Sequence, residues 1–195
     1  MHKSNYLVCE PCFDRGTARL EDCKFCNPVS KATLYSYFPD KRLLFVEVAS
    51  EQCRQQSEKI MAEVDADARI EDILTIIGCT MLEFFYSDTG IRMFRVVLGE
   101  TERFPELGHE FYQSGPGYGR EAMASLFEMT NARGETRIDD IDLAASQFIE
   151  LCKSDLWAQI ILGVKDTVNR AEIEHVVQES IKMFMARYGS AQAAS

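Results

Sequence analysis

Residues 29–45 read VSKATLYSYFPDKRLLF. A proline divides the stretch into two helical segments. Ser30 carries the kind of hydroxyl that caps a helix start, and the turn after it presents Lys31 and Thr33. Leu34 and Phe38 lie four apart, so they share one inward face. Tyr35, Ser36 and Tyr37 offer hydroxyls to a groove or to phosphates. Pro39 ends this segment and Asp40 caps the next, with Lys41 beside the second start, placed for a phosphate. The same features taken singly also suit a solvated helix-turn of an ordinary helical protein. What separates the two readings is the order of the residues and what surrounds them.

The surroundings are helical throughout. The chain has 195 residues, 46% hydrophobic and 27% charged, enough for a sizeable core and inconsistent with disorder. From Asp40, DKRLLFVEVASEQCRQQSEKIMAEVDA reads as one long helix, with Leu44, Val48, Ile60 and Val64 spaced in turns. In ARIEDILTIIGCTMLEFFYSD, the residues Ile70, Ile73, Leu74, Ile77, Met81 and Phe84 share a face that Phe85 and Tyr86 broaden. A helix ending before Pro105 follows, then a short one over 105–114. GPGYG at 115–119 reads as a turn or helix break, and a helix over 116–132 ends at a Gly134 cap. DDIDLAASQFIELCKSDLWAQIILGV reads as one long apolar helix started by Asp139 or Asp140. The last helix begins at Asn169, with Glu172 three residues on as a capping box, and ends at Gly189. Nothing reads as a strand pair. The expected class is all-α, with about eight or nine helices.

Charge is distributed unevenly. The net charge of −10 argues against nucleic acid as a partner of the whole chain. Residues 1–43, however, hold seven Lys or Arg against five Asp or Glu, whereas residues 44–195 hold fourteen against twenty-six. A mildly basic head on an acidic body fits a protein that touches DNA at one end. The N-terminus carries no signal-peptide pattern and no run approaches a membrane span, so a cytoplasmic protein without a membrane partner is expected. His2, His109 and His175 have no catalytic spacing, and no nucleophile elbow, phosphate loop or His-Glu-x-x-His occurs. An enzyme is not expected.

Val29-Ser30-Lys31, Thr33-Leu34-Tyr35, Tyr37-Phe38, Asp40-Lys41 and Leu44-Phe45 together resemble the recognition helix and following helix of the TetR family of transcriptional regulators. LGETERFPELGHEFYQSGP, RGETRIDDIDLAASQFIEL and KSDLWAQIILG resemble, more weakly, the ligand-binding half of AefR-like or AcrR-like members, and the likeness covers roughly 20–188. It implies a DNA-binding head, placed at 1–48, and a ligand-binding and dimerisation domain over 49–195. It further implies a homodimer that sets two recognition helices in successive major grooves of an operator, a repressor released by a small apolar or amphipathic effector. Ser30, Lys31, Thr33, Tyr35, Ser36, Tyr37 and Lys41 are then the DNA-binding residues. Dimerisation falls to the stripes on 139–163 and 169–188. Pocket candidates are Phe84, Phe85, Met93, Phe94, Phe111, Tyr112, Met123, Phe127 and Trp157, although stripes of this kind more often form plain core. A head that no longer binds DNA, on a small-molecule-binding or interaction dimer, is the alternative.

The alternative draws on the N-terminal cysteines. Cys9, Cys12, Cys23 and Cys26 form two Cys-x-x-Cys pairs ten residues apart. Phe13 to Gly16 resemble the end of the family's first helix and Leu20 to Asp22 the start of its second, but the chain between them is about two residues short. Pro11 falls where a helix interior is expected, at a cost of about 3 kcal/mol, and Pro28 precedes the recognition helix. Two such pairs are the ligand set of a tetrahedral structural zinc, which would stabilise a head too short to fold on helix packing. Incidental cysteines of a degenerate helix-turn-helix and a redox pair remain open beside it. The other three cysteines, Cys53, Cys79 and Cys152, sit in apolar helical patterns and read as small core residues. For the zinc reading, metal analysis of protein purified without added zinc should find about one ion per chain, lost when all four N-terminal cysteines become serine; metal-free protein excludes the site.

Overall fold

A computed structural model of the chain describes residues 41–65 and 68–190. The recognition-helix residues Ser30 to Tyr37 and the four N-terminal cysteines lie outside the described residues, as does the side chain of Lys41. Among the described residues, eight α-helices follow one another: α1 Lys41–Glu63, α2 Ile70–Phe85, α3 Asp88–Glu100, α4 Pro105–Tyr112, α5 Tyr118–Ala132, α6 Ile141–Cys152, α7 Leu156–Ile161 and α8 Arg170–Tyr188. A π-helical turn, Gln113–Gly117, joins α4 to α5. No strand forms among the described residues; one antiparallel bridge joins Thr136 to Gly189. The all-α expectation holds.

Local chemistry explains most boundaries. The Ser87 hydroxyl accepts from the Gly90 amide at 3.0 Å and starts α3. Pro105 opens α4 at the position where a missing N–H costs nothing. Asp140 accepts from the Leu143 amide at 3.0 Å to start α6. The capping box of α8 is complete: Asn169 accepts from the Glu172 amide at 3.1 Å, and Glu172 accepts from the Asn169 amide at 2.9 Å. Gly134, at φ 73°, ends α5. Its amide donates to the Asn131 carbonyl, and the Glu135 amide reaches back to Thr130, both at 3.0 Å, the hydrogen-bond pair of a Schellman motif.

Two expectations are corrected. GPGYG does not interrupt the helix. Pro116 has no amide to donate, and the chain accommodates it by widening one turn into a π-helix, so that residues 105–132 stay helical from end to end. The stretch 139–164 is not one long helix either. α6 stops at Cys152, and Asp155 adopts φ 66°, ψ −55°, with the Leu156 amide donating to Ser154 at 2.8 Å. This is a γ-turn, after which α7 starts on a new axis. The apolar pattern runs straight through the break. Ser154 and Asp155, whose side chains compete for backbone hydrogen bonds, mark it in the sequence.

The residues pack in two clusters. The larger centres on α2, α5, α6 and α8, where Phe184 stacks on Phe127 (centroids 4.9 Å apart) and meets Phe148 edge-on at 5.4 Å. The smaller gathers Ala49 and Cys53 of α1, Met93 and Val97 of α3 and Phe111 of α4, with Phe84 and Phe94 against it. The segment between α5 and α6 clamps the larger cluster. The Glu135 carboxylate accepts from the Ile70 amide at the start of α2 (3.1 Å), and the Arg137 amide donates to the Tyr188 carbonyl at the end of α8 (2.8 Å). Truncating Phe184 to alanine removes the ring shared by α5, α6 and α8. It should lower unfolding free energy by about 3–5 kcal/mol in urea titrations at fixed protein concentration.

Candidate effector cavity

A cavity of about 190 Å³ lies along the seam between the two clusters. Each wall comes from one helical face. Cys53, Gln56, Ser57 and Ile60 follow the three- and four-residue steps of α1, and Ile77, Met81, Phe84 and Phe85 do the same on α2. Ser146, Ile149, Glu150 and Lys153 line it from α6, Phe94 from α3, and Tyr112, Gly115 and Pro116 from the junction of α4 with the π-turn. Arg120 and Met123 of α5 complete the wall. The lining is thus mostly apolar and aromatic with a few polar groups, the usual make-up of a small-molecule site.

Of the aromatic and methionine candidates, Phe84, Phe85, Phe94, Tyr112 and Met123 line this cavity. The others sit elsewhere. Met93 and Phe111 are buried in the smaller cluster, and Phe127 is buried under Phe184. Trp157 stands behind the wall, its ring 4.8 Å from Phe94 and 5.7 Å from Phe85 between centroids. Phe94 also meets Phe111 edge-on at 5.2 Å, so it links the cavity wall to the smaller cluster.

The polar lining residues carry no pattern that marks them in the sequence. Gln56 and Ser57 of α1, Arg120 of α5 and Lys153 just past α6 were not among the sequence candidates. Cys53 was expected as core and is both core and wall. Burial pushes its thiol up to about 12, so it stays protonated and behaves as a small apolar group. Cys152 is held at about 12 by burial as well, and Cys79, half-buried, is raised for the same reason.

Two contacts tie the cavity's edge to α1. The Ser114 hydroxyl donates to the Glu110 carbonyl at 2.8 Å, which leaves the Ser50 hydroxyl to donate to Ser114 at 2.6 Å. One turn on, Gly115 packs so closely on α1 that an added Cβ would lie 3.0 Å from the Cys53 sulfur. A second hollow, between α2 and α8, is larger at about 490 Å³ but polar. Arg170 in it pairs with Glu174 at 2.7 Å and with Glu83 at 3.3 Å. The apolar seam is the candidate site.

Comparison with known proteins places this architecture. Residues 72–190 match the AefR-like transcriptional repressor C-terminal domain. A structure from Mesorhizobium loti, assigned to the TetR family of transcriptional regulators, superimposes with a TM-score of 0.75 at 25% identity, over 83% of this chain and 81% of that one. The flavonoid-responsive regulator FrrA does so with a TM-score of 0.66 at 29% identity, over 83% and 81%. A TetR regulator from Agrobacterium tumefaciens shares the fold at 22% identity, with a TM-score of 0.66 over 85% and 80%. No curated protein sequence is significantly similar to the chain. The chain belongs to the TetR family of transcriptional regulators, with an AefR-like C-terminal domain.

Trp157 is the chain's single tryptophan and therefore reports on the wall. A Phe94→Ala variant opens its cavity-facing side to water, and its emission maximum should move to the red relative to the parent protein. An unchanged spectrum would mean that the ring does not sense the cavity.

Proposed function

We propose that this transcriptional regulator is a DNA-binding repressor that leaves its operator when a small apolar or amphipathic molecule occupies the seam cavity. The observation that carries the reading is the cavity's position. It is bounded by α1, the helix that leads back toward the recognition-helix sequence, and by the π-turn packed on α1 through Ser50, Ser114 and Gly115. A molecule that spreads the seam presses on both contacts and so on the direction of α1. The aromatic lining supports an aromatic effector, as does the likeness to a flavonoid-responsive regulator.

DNA contact is assigned to Ser30, Lys31, Thr33, Tyr35, Ser36, Tyr37 and Lys41, on the family pattern that these residues keep. The head proposed for 1–48 joins the body through α1, which is unbroken across residue 48. A homodimer is proposed through α6 and α8, supported by the exposed apolar side chains of Leu143 and Met183, with Leu162 and Val164 just past α7. A structural zinc at Cys9, Cys12, Cys23 and Cys26 remains part of the proposal for the head. No helix among the described residues is long and apolar enough to cross a membrane.

Selection of genomic fragments by the purified protein tests the reading. A palindromic operator should be recovered, with affinity that falls steeply with salt. Tyr35→Ala and Lys41→Ala should each weaken binding by roughly tenfold or more while the protein keeps its helical circular dichroism and its dimeric mass. A folded dimer that retains no DNA at physiological salt would instead favour the interaction-protein alternative.

A further inference from the structure

The two cations in the cavity wall are not equivalent. Lys153 pairs with Glu150 at 2.5 Å, and both residues line the cavity, so their charges cancel within it. Arg120 pairs with Asp142, which is not part of the lining. Asp142 is 75% exposed and points to water, whereas Arg120 is 29% exposed. A guanidinium has five donors, and Arg120 engages Asp142 through a single nitrogen. Arg120 is therefore the one lining cation whose carboxylate partner lies outside the lining, and it keeps donors beyond the nitrogen on Asp142, in a wall that includes the rings of Phe84, Phe85 and Phe94. This is unusual in a chain with a net charge of −10, where a chance surface position is more often acidic.

From this asymmetry we infer that the effector is a small aromatic carboxylic acid. Its carboxylate takes the Arg120 donors in the two-point geometry that guanidinium offers, and its ring lies on the phenylalanine wall. The inference rests on the seam cavity being the effector site. The exposed Asp142 is a weak competitor, because a solvated surface carboxylate contributes little to a pair. A ligand carboxylate brought in by ring burial replaces it at small cost. A neutral aromatic of the same shape would fill the seam and leave the Arg120 donors unused.

Calorimetric titration of the full-length protein with 2-naphthoate and with 2-naphthalenemethanol, at neutral pH, tests this. The acid should bind at least about tenfold more tightly than the alcohol. Arg120→Met should abolish that preference while leaving affinity for the alcohol unchanged, Arg120→Lys should restore part of it, and Lys153→Met should leave it intact. Thermal unfolding without ligand checks that each variant is folded. Equal affinity for acid and alcohol, or a preference lost in Lys153→Met but not in Arg120→Met, would overturn the inference and leave the effector cavity standing. If neither compound binds, both the inference and the cavity reading fall.

Discussion

Pro116 sets a constraint on which the functional half of the molecule depends. A proline inside a helix cannot donate to the carbonyl four residues back, and its ring crowds that carbonyl. Here the helix does not break; it widens into one π-turn and continues. The widened turn brings Gly115 against Cys53 and Ser114 against Ser50, so the irregularity in one helix is docked on α1. It also displaces α5 relative to α4, which lets α4 pack with α1 and α3 in the smaller cluster while α5 packs with α6 and α8 in the larger one. The seam between the clusters, and hence the cavity, follows from that division.

The two sides of the seam are held with different firmness. The larger cluster carries the stacked phenylalanines, the Schellman motif of α5, the capping box of α8 and the Glu135 clamp, so its helices are fixed at their ends as well as along their faces. The smaller cluster rests on five buried residues, and α1 reaches it mainly through side chains no larger than cysteine and serine. Interiors are close-packed and yield by discrete repacking. On the proposed effector reading, a molecule that wedges the seam moves the less firmly held side, the one containing α1.

Much of this was legible in the sequence, and the limits are physical. Helix faces came from periodicity, because Ile70, Ile73, Leu74 and Ile77 leave one inward solution. A start at Asp139 or Asp140, of which the structure uses Asp140, a start at Asn169 and the stop at Gly134 came from cap chemistry, which is local. The two misreadings share a cause. At 113–117 and at 153–155 the backbone departs from the α-helix in ways that depend on what packs against it: a proline that breaks most helices is absorbed by a π-turn, and an apolar run that should continue turns at Asp155. Tertiary context decided both. The cavity was half legible. Aromatic positions facing inward could be named, but whether a ring lines a void or fills one depends on the gap left by its neighbours. That is why Phe94 is wall while Phe111, which meets it edge-on, is core. The polar lining was hidden because Arg120 and Lys153 have the spacing of ordinary solvated charges.

The cavity also bounds how an effector can act. Binding shifts a conformational equilibrium only by the difference in affinity between its two states. Contacts available equally in both states, such as a ring resting on Phe85 with Trp157 behind it, raise affinity without moving α1. On the effector reading, discrimination has to come from groups whose positions change when the seam opens, and among the lining residues those are Cys53, Gln56, Ser57 and Ile60 on α1 and Gly115 and Pro116 on the π-turn. Gln56 also donates to the Thr80 carbonyl of α2 at 3.3 Å, a long bond that holds the seam closed at one point. A ligand that takes the Gln56 amide for itself relaxes that bond and gains a contact only the opened state provides. On the proposed effector reading, the aromatic wall and Arg120 set how tightly a molecule binds, while the α1 face of the cavity sets whether its binding is felt beyond it.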